Sequence, residues 1–339
     1  MKKVFKITLW SLLAIFLLRI FVVQSYRVDS FSMSSTLEPG DRLLVNKIIT
    51  GTRLPNSILG LPGADCSFSD AFRIPYFRLP GFRNFKRNDL VIYNDPRTSD
   101  RPIDKSSLMI SRIAGLPGDT VIFLNKELYI NRDKVQEQDG FRKLYRIVTD
   151  GQTIPLEFIA EHNLEEPVLI SDIGIYDVTL DSVAHEAIQK IPGIKNLRLR
   201  KQYFGDSSKA YFPYSSFFNW NRDQFGPVIV PVKGLEVILT IKTVDLYREI
   251  IDIYEGNDMI VDFSGITING RKSDSYTFKN NYYFVLDDNR DNPNDSRIIG
   301  FIPESHLLGT SKRILYSGHS NFDYLNKSGV KRLLKKIDK

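Results

Sequence analysis

Residues 29–41 read Asp29-Ser30-Phe31-Ser32-Met33-Ser34-Ser35-Thr36-Leu37-Glu38-Pro39-Gly40-Asp41, and Arg42-Leu43-Leu44-Val45-Asn46-Lys47-Ile48 follows at once. The first stretch is rich in serine and closes on Pro-Gly-Asp, the composition of a loop whose hydroxyls bond nearby backbone. The second is a short β-branched run bounded by turn residues, which predicts a strand. Together they read as a turn-rich loop followed by a strand, the start of a mostly β chain. On composition alone, four serines in a short loop are turn chemistry and nothing more.

Upstream lies Met1-Lys2-Lys3 and then ITLWSLLAIFLLRIFVV, Ile7 to Val23. That run is at the short end of the roughly 17–25 residues that cross a bilayer as a helix. Arg19 interrupts it near its C-terminal end, where a long side chain reaches the interface. Lys2, Lys3 and Lys6 favour a cytoplasmic N-terminus, with the bulk of the chain outside. Gln24, Ser25, Tyr26 and Arg27 follow without a small-x-small cleavage pattern, so an anchor is expected over a cleaved signal.

The whole chain has 339 residues, 46 Lys+Arg against 40 Asp+Glu and a net charge of +6. With 42% hydrophobic and 25% charged residues it can bury a core, which excludes disordered, collagen-like and low-complexity classes. Its length suggests about two folding units. The lone cysteine, Cys66, cannot form an internal disulfide, and it excludes a Cys-built zinc site or a CxxC redox centre. His162, His185, His306 and His319 are scattered, none at metal-ligand spacing. The basic residues form no stripe that would track nucleic acid.

Downstream, Asp89–Asp95 (DLVIYND), Thr120–Leu124 and Leu128–Ile130 read as strands. Phe72–Phe85 is an aromatic and arginine loop punctuated by prolines. Residues 136 to about 225 are less regular, with PVLIS as a short strand and a helix near Val183–Lys190. Strands resume at PVIVPV and EVILTI, and TVDLYREIIDIYEG has Leu246, Ile250, Ile251 and Tyr254 on one helical face. Asn269-Gly270 marks a hairpin turn, NYYFVL a buried strand, and KSGVKRLLKKIDK a basic amphipathic tail.

Two more segments break the strand pattern: Arg112-Ile113-Ala114-Gly115-Leu116-Pro117-Gly118-Asp119, and Asp287-Asp288-Asn289-Arg290-Asp291-Asn292-Pro293-Asn294-Asp295-Ser296-Arg297. The second mixes acidic residues with arginines, which argues for internal salt bridges over a calcium loop.

In order, these segments resemble the bacterial type I signal peptidases, the Ser/Lys endopeptidases that clip signal peptides from exported proteins, in their long-insert form. The resemblance is carried by Arg19-Ile20-Phe21-Val22-Val23-Gln24 at the end of the anchor, by Ser32-Met33, Thr36-Leu37 and Gly40-Asp41, by GLPGD at 115–119, and by DNRDNxxDSR (288–297) with GFIPE (300–304). It implies a mostly β fold: a signal-peptidase-like catalytic core from residues 26–130 and 265–315, an inserted α+β domain at 131–264, one transmembrane helix within 1–25, and a basic tail at 316–339. It implies Ser32 as nucleophile, Ser30 as a partner of the Ser32 backbone N–H in holding the oxyanion, and Met33 packed beside the nucleophile. Asp288, Arg290, Asp295 and Arg297 match the charged residues that brace the site. Substrate would bind as an extended strand beside the Ser32 loop, with small shallow pockets before the cut. No cofactor or metal is implied. The expected partners are exported preproteins with signal peptides and the lipid bilayer of the cell (inner) membrane, with the catalytic domain on the extracytoplasmic side.

The chain departs from the family pattern on its own motifs. The general-base lysine position is Ser111, and a serine hydroxyl cannot take a proton near pH 7 as a buried neutral amine can. The position of the serine that supports that lysine is Pro293. Asp287 stands in place of a glycine and Ser35 in place of a proline. Two alternatives stay open: a serine endopeptidase whose base is Lys47, Lys105, His319 or a group on a partner peptidase subunit, and an impaired paralogue that binds peptides as a scaffold.

Overall fold

The computed structural model describes residues 2–34, 36–55, 75–98, 102–136, 141–162, 164–203, 211–263, 265–291, 294–317 and 332–337. Ser35, Cys66, Pro293, His319 and most of the C-terminal tail lie outside the described residues. The chain divides into two compact units, one of Met1–Val28, Gly40–Ile113 and Ile302–Lys339, the other of Asp29–Pro39 and Ala114–Phe301. Strands dominate both.

The first unit begins with a helix, Lys2–Phe21. Its span Lys3–Phe21 has mean hydropathy 2.0 and none of it is buried, so an apolar surface long enough to cross a membrane faces outward all round. The helix stops two residues short of the apolar run, because Val23 is taken up by a strand, Val23–Arg27, paired antiparallel with Asp41–Asn46 from Val23↔Asn46 to Arg27↔Arg42. Strands of this unit lie in the order 23–27, 41–46, 307–317, 90–94 and 108–115, the last two residues of 108–115 belonging to the second unit. All five residues of Leu90–Asn94 are buried, as a strand with a neighbour on each edge and apolar or amide side chains throughout should be. Gly309 lies where the long strand Leu307–Ser317 shifts register; a Cβ there would sit 2.5 Å from the Asn46 carbonyl oxygen. Of the tail, 332–337 folds back as an irregular segment: Ile314 N donates to Lys335 O, and Arg332 pairs with buried Asp41 at 2.8 Å.

The second unit holds a four-stranded sheet in the order 225–229, 120–124, 127–130, 133–134. Its two tight turns, Asn125-Lys126 and Asn131-Arg132, have positive φ throughout, the backbone that type I′ hairpins require. The sheet packs an aromatic core with Trp220, Phe225, Tyr282, Phe284 and Phe301. Gly115 of the GLPGD segment belongs to this packing: a Cβ would meet Val121, Val230 and Phe284 at 2.8, 2.9 and 3.0 Å. A second four-stranded sheet, 194–199, 143–149, 175–180 and 168–171, has its own core of Ile147, Phe158, Val178, Leu180 and Ile188. The helix beside it, Ser182–Ile188, is capped by Asp181, whose carboxylate accepts from Ala184 N. The TVDLYREIIDIYEG segment forms helix Val244–Glu249 and one π-turn, Ile250–Tyr254. Asn269-Gly270 turns strand Gly265–Ile268 into Arg271–Lys272.

Candidate active site

In the second unit, Ser30 is extended (φ −128°, ψ 162°) and leads into a single 3-10 turn, Phe31–Met33. The turn is closed by Ser34 N on Phe31 O, then by Thr36 N and Leu37 N on Met33 O at 2.9 and 2.8 Å. Met33 and Leu37 are fully buried and pin it from below. Ser32 is left half-buried and Ser30 exposed, with their hydroxyl oxygens 3.0 Å apart.

The acidic segment closes over this turn. Asn289 N donates to Ser32 O at 2.9 Å, Asp288 N approaches Met33 Sδ at 3.4 Å, and the Thr36 hydroxyl donates to Asp288 Oδ2 at 2.6 Å. Four residues expected from sequence (Ser30, Ser32, Met33 and Asp288) are thus held in one hydrogen-bonded cluster. Thr36 and Asn289 join it through contacts invisible in the sequence, since each partner is more than two hundred positions away.

Asp295 and Arg297 form a second, wholly buried knot. The guanidinium reaches Asp295 through Nε at 3.1 Å and Nη2 at 2.8 Å, donates from Nη1 to Arg222 O at 3.1 Å, and lies 5.1 Å from the Phe123 ring centroid. Burial opposes the charge on Arg297, but the Asp295 carboxylate outweighs it and the pKa is raised. Asp295 also accepts from Arg297 N and Asp287 N, so it caps the short helix Ser296–Ile299 and ties down the strand end before it. Asp287, which stands where the family has glycine, is buried and accepts from Asn294 N at 3.0 Å. Arg290 lies over the Phe141 ring, 4.5 Å from its centroid.

Sequence reasoning missed a third cluster. Lys126 bridges Asp223, at 3.1 Å, and Asp291, while Arg222 Nε lies 3.3 Å from Asp291. All four side chains are buried or nearly so. In sequence, Lys126 is a hairpin-turn lysine and would be read as solvated.

The first unit holds the positions considered for a base. Ser111 is fully buried on strand Leu108–Gly115, opposite Val91. Its hydroxyl donates to Ile110 O at 2.8 Å and lies 3.2 Å from the Tyr93 hydroxyl. Lys47 is also buried, and its ammonium donates to the carbonyls of Arg19 and Ile20 at 3.3 and 3.2 Å, capping the end of the N-terminal helix. Burial first, then the charges of Arg53 and Arg19, lower its pKa to about 8. Lys105 ends a 3-10 turn, Ile103–Lys105, and is half-buried.

The chain as a whole is similar to known proteins. The family model described as signal peptidase, peptidase S26, matches residues 1–163 and 239–316. Signal peptidase I of Buchnera aphidicola subsp. Baizongia pistaciae is 25% identical over 300 residues, covering 88% of this chain and 71% of that protein. Signal peptidase I of Aquifex aeolicus is 23% identical over 312 residues, 91% of this chain and 81% of that one. Signal peptidase I of Pseudomonas aeruginosa reaches 34% identity over 128 residues, 38% of this chain and 37% of its own. The chain therefore belongs to the signal peptidase family, peptidase S26.

Proposed function

We propose that this chain is a membrane-anchored serine endopeptidase that removes signal peptides from exported preproteins, with Ser32 as its nucleophile. The observation that carries the assignment is the turn on which Ser30 and Ser32 present hydroxyls 3.0 Å apart. Its backbone is fixed by Asn289 N on Ser32 O and by buried Met33. A nucleophile held this way loses little orientational freedom on approach to the scissile carbonyl. Ser32 Oγ attacks the carbonyl carbon, and negative charge gathers on the carbonyl oxygen. The Ser30 hydroxyl and the Ser32 N–H are the donors assigned to that oxygen, a role worth about 3–4 kcal/mol per donor elsewhere. Asp288 holds the turn through Thr36, while Arg290, Asp295 and Arg297 fix the segment that carries Asp288.

The proton of Ser32 must leave on a base, and Ser111 is not one. Its hydroxyl already donates to Ile110 O. Lys47, with its pKa lowered to about 8, has the electronic property of an amine base, yet its ammonium is engaged with two helix-end carbonyls. Lys105 and a group from a partner peptidase subunit are the other candidate bases.

The apolar helix and family membership fit a single-pass membrane protein. Lys3 and Lys6 support an N-terminus on the cytoplasmic side of the cell membrane and a catalytic body outside. Residues 26–130 and 265–315 are assigned to the catalytic core, 131–264 to an insert and 316–339 to the tail. The separate sheet and core within 143–199, and the unmatched stretch 164–238 in the family match, support an insert in this region.

The test is cleavage of a preprotein whose signal ends in Ala-x-Ala, using purified full-length chain. Wild type releases the mature protein and Ser32→Ala does not. Equal rates in the two would overturn the assignment of Ser32.

A further inference from the structure

Two residues of the stretch assigned to the insert, Glu165 and Arg142, reach the nucleophile turn from outside the sequence motifs. Glu165 lies just past residue 163, where the family match breaks off. It is half-buried, and its Oε1 accepts from Asn289 Nδ2 at 2.7 Å. Asn289 has no exposed surface, and its backbone N–H is the donor that Ser32 O accepts. One residue therefore joins the insert to the nucleophile: Glu165 holds its side chain, and its backbone holds Ser32.

Both ends of this contact are anchored. Leu164, next to Glu165, is buried in the core of Ile147, Phe158 and Val178, and its N–H donates to Ile159 O at 2.9 Å. His162 O accepts from Arg142 Nη2 at 3.2 Å, and Arg142 forms an isolated parallel bridge with Asn289. The stretch around Arg142 also holds the next two residues of the acidic segment, Arg290 against the Phe141 ring and Asp291 through Leu144 N. Only 2% of Arg142 is exposed, and Asp181, Glu165 and Glu38 supply the negative charge that offsets its burial. Glu38 belongs to the same loop as Ser32. The guanidinium thus draws one carboxylate of the insert and one of the nucleophile loop toward a single point. A hydrogen bond to an ionised acceptor is stronger and more directional than a neutral one, which suits the Glu165–Asn289 bond to fixing geometry.

We infer that Glu165 is a positioning residue for Ser32: by accepting from Asn289 it fixes the N–H that holds the Ser32 carbonyl, while the charge of Arg142 holds Glu165 in place. The insert then sets the aim of the nucleophile without touching substrate. This deepens the proposed peptidase activity, and its kinetic consequence rests on that reading.

The kinetic test measures preprotein cleavage by the purified full chain. A misplacement of about 1 Å costs about 100-fold, so Glu165→Ala is expected to lower kcat by about 10–100-fold with KM nearly unchanged. Glu165→Gln keeps an acceptor oxygen for Asn289 and should restore most of the rate. Asn289→Ala keeps the backbone N–H but loses the side chain, and should fall as far as Glu165→Ala. The double variant should be no slower than either alone, because both changes remove one contact. An unchanged kcat, losses that multiply in the double variant, a glutamine variant as slow as the alanine one, or a change confined to KM overturns the inference. A second measurement needs no cleavage. In the full chain carrying Cys66→Ser and Ser32→Cys, a nitroxide on residue 32 is followed by electron paramagnetic resonance. Its motion should rise with Glu165→Ala and stay at the parent value with Glu165→Gln. Identical spectra in all three overturn the inference. The expected spectra, in a chain whose Ser32 form cleaves no preprotein, would support the positioning and refute the peptidase reading alone.

Discussion

Replacing Lys126 by methionine should be among the most damaging single changes in the second unit, though nothing in the sequence around Asn125-Lys126-Glu127 marks it. The ammonium lies 3.1 Å from Asp223 and also contacts Asp291, and the side chains are 7%, 2% and 1% exposed. At 3–4 Å and the effective dielectric of a protein site, each attraction is about 4–5 kcal/mol before desolvation. Removing one partner of such a buried set leaves two carboxylates to share Arg222, a loss of about 3–5 kcal/mol. At about 2–4 °C per kcal/mol for a unit of this size, melting should fall by roughly 6–20 °C. The backbone gives an internal check, since Lys126 has φ 73°. Lys126→Gly removes the same charge but relieves a left-handed conformation that costs a side chain about 1 kcal/mol, so it should melt above Lys126→Met. The same hairpin supplies the contrast. Lys134 pairs with Glu127 at 2.7 Å, but both are about half exposed, and an exposed pair contributes little. Lys134→Met should leave melting almost unchanged. Thermal unfolding of the detergent-solubilised full chain, followed by near-UV circular dichroism, reads all three variants. Equal small shifts for Lys126→Met and Lys134→Met would refute the assignment of the buried cluster as a structural tie.

Three further outcomes can be checked. Ser30→Ala should lower kcat for preprotein cleavage about 100-fold or more with KM nearly unchanged, as loss of an oxyanion donor does; a change confined to KM would place Ser30 in substrate binding instead. Burial, with the charge of Arg53 adding to it, lowers the pKa of His306 from 6.5 to about 3, so the folded state keeps it neutral while the unfolded chain binds a proton below pH 6.5. Stability from this group is therefore complete above pH 6.5 and drains away as pH falls toward 3, by about 5 kcal/mol in all at about 1.4 kcal/mol per unit; His306→Gln should flatten acid unfolding over that window, and parallel curves would count against it. Gly115→Ala should cost about 1–3 kcal/mol by overpacking against Val121, Val230 and Phe284, read as a lower denaturation midpoint.

What was legible beforehand follows from the range over which each signal acts. The strands at Leu90–Asn94 and Tyr282–Leu286 and the Asn269-Gly270 hairpin are local features that lie where their residues predict, and the apolar helix is local too, though it spans Lys2–Phe21 and not Ile7–Val23. The strands Lys143–Thr149 and Ile194–Leu199 were not legible: KLYRIVT and IKNLRL alternate imperfectly because charged and apolar side chains share a half-covered face. At the candidate site, Ser30, Ser32, Met33 and Asp288 could be named from motif order, but their cohesion depends on Thr36 and Asn289 reaching across the chain. Lys126 was illegible for the same reason: its partner Asp291 is 165 positions away. A lysine in a turn reads as a solvated charge until its backbone places it against two buried carboxylates.

The absent lysine can be argued from the position that lacks it. Ser111 has no exposed surface, and Tyr93 beside it has none either. An amine introduced by Ser111→Lys would replace a buried hydroxyl that lies 3.2 Å from the Tyr93 phenol oxygen and donates to the Ile110 carbonyl. Burial there strips an ammonium of its hydration and so lowers the pKa of an introduced lysine. That shift is what a lysine base needs, since only the neutral amine can accept the serine proton. The buried environment of Ser111 thus favours the neutral amine that a lysine base requires. Ser111→Lys should raise cleavage over wild type, with a rate that climbs with pH to a plateau set by the new amine. Ser111→Met, which adds bulk without a base, should not raise it. If the methionine variant gains as much as the lysine variant, bulk and not proton transfer limits the wild type. If neither gains, even when Pro293→Ser restores the supporting hydroxyl, the proton leaves Ser32 by a route that does not pass through this position.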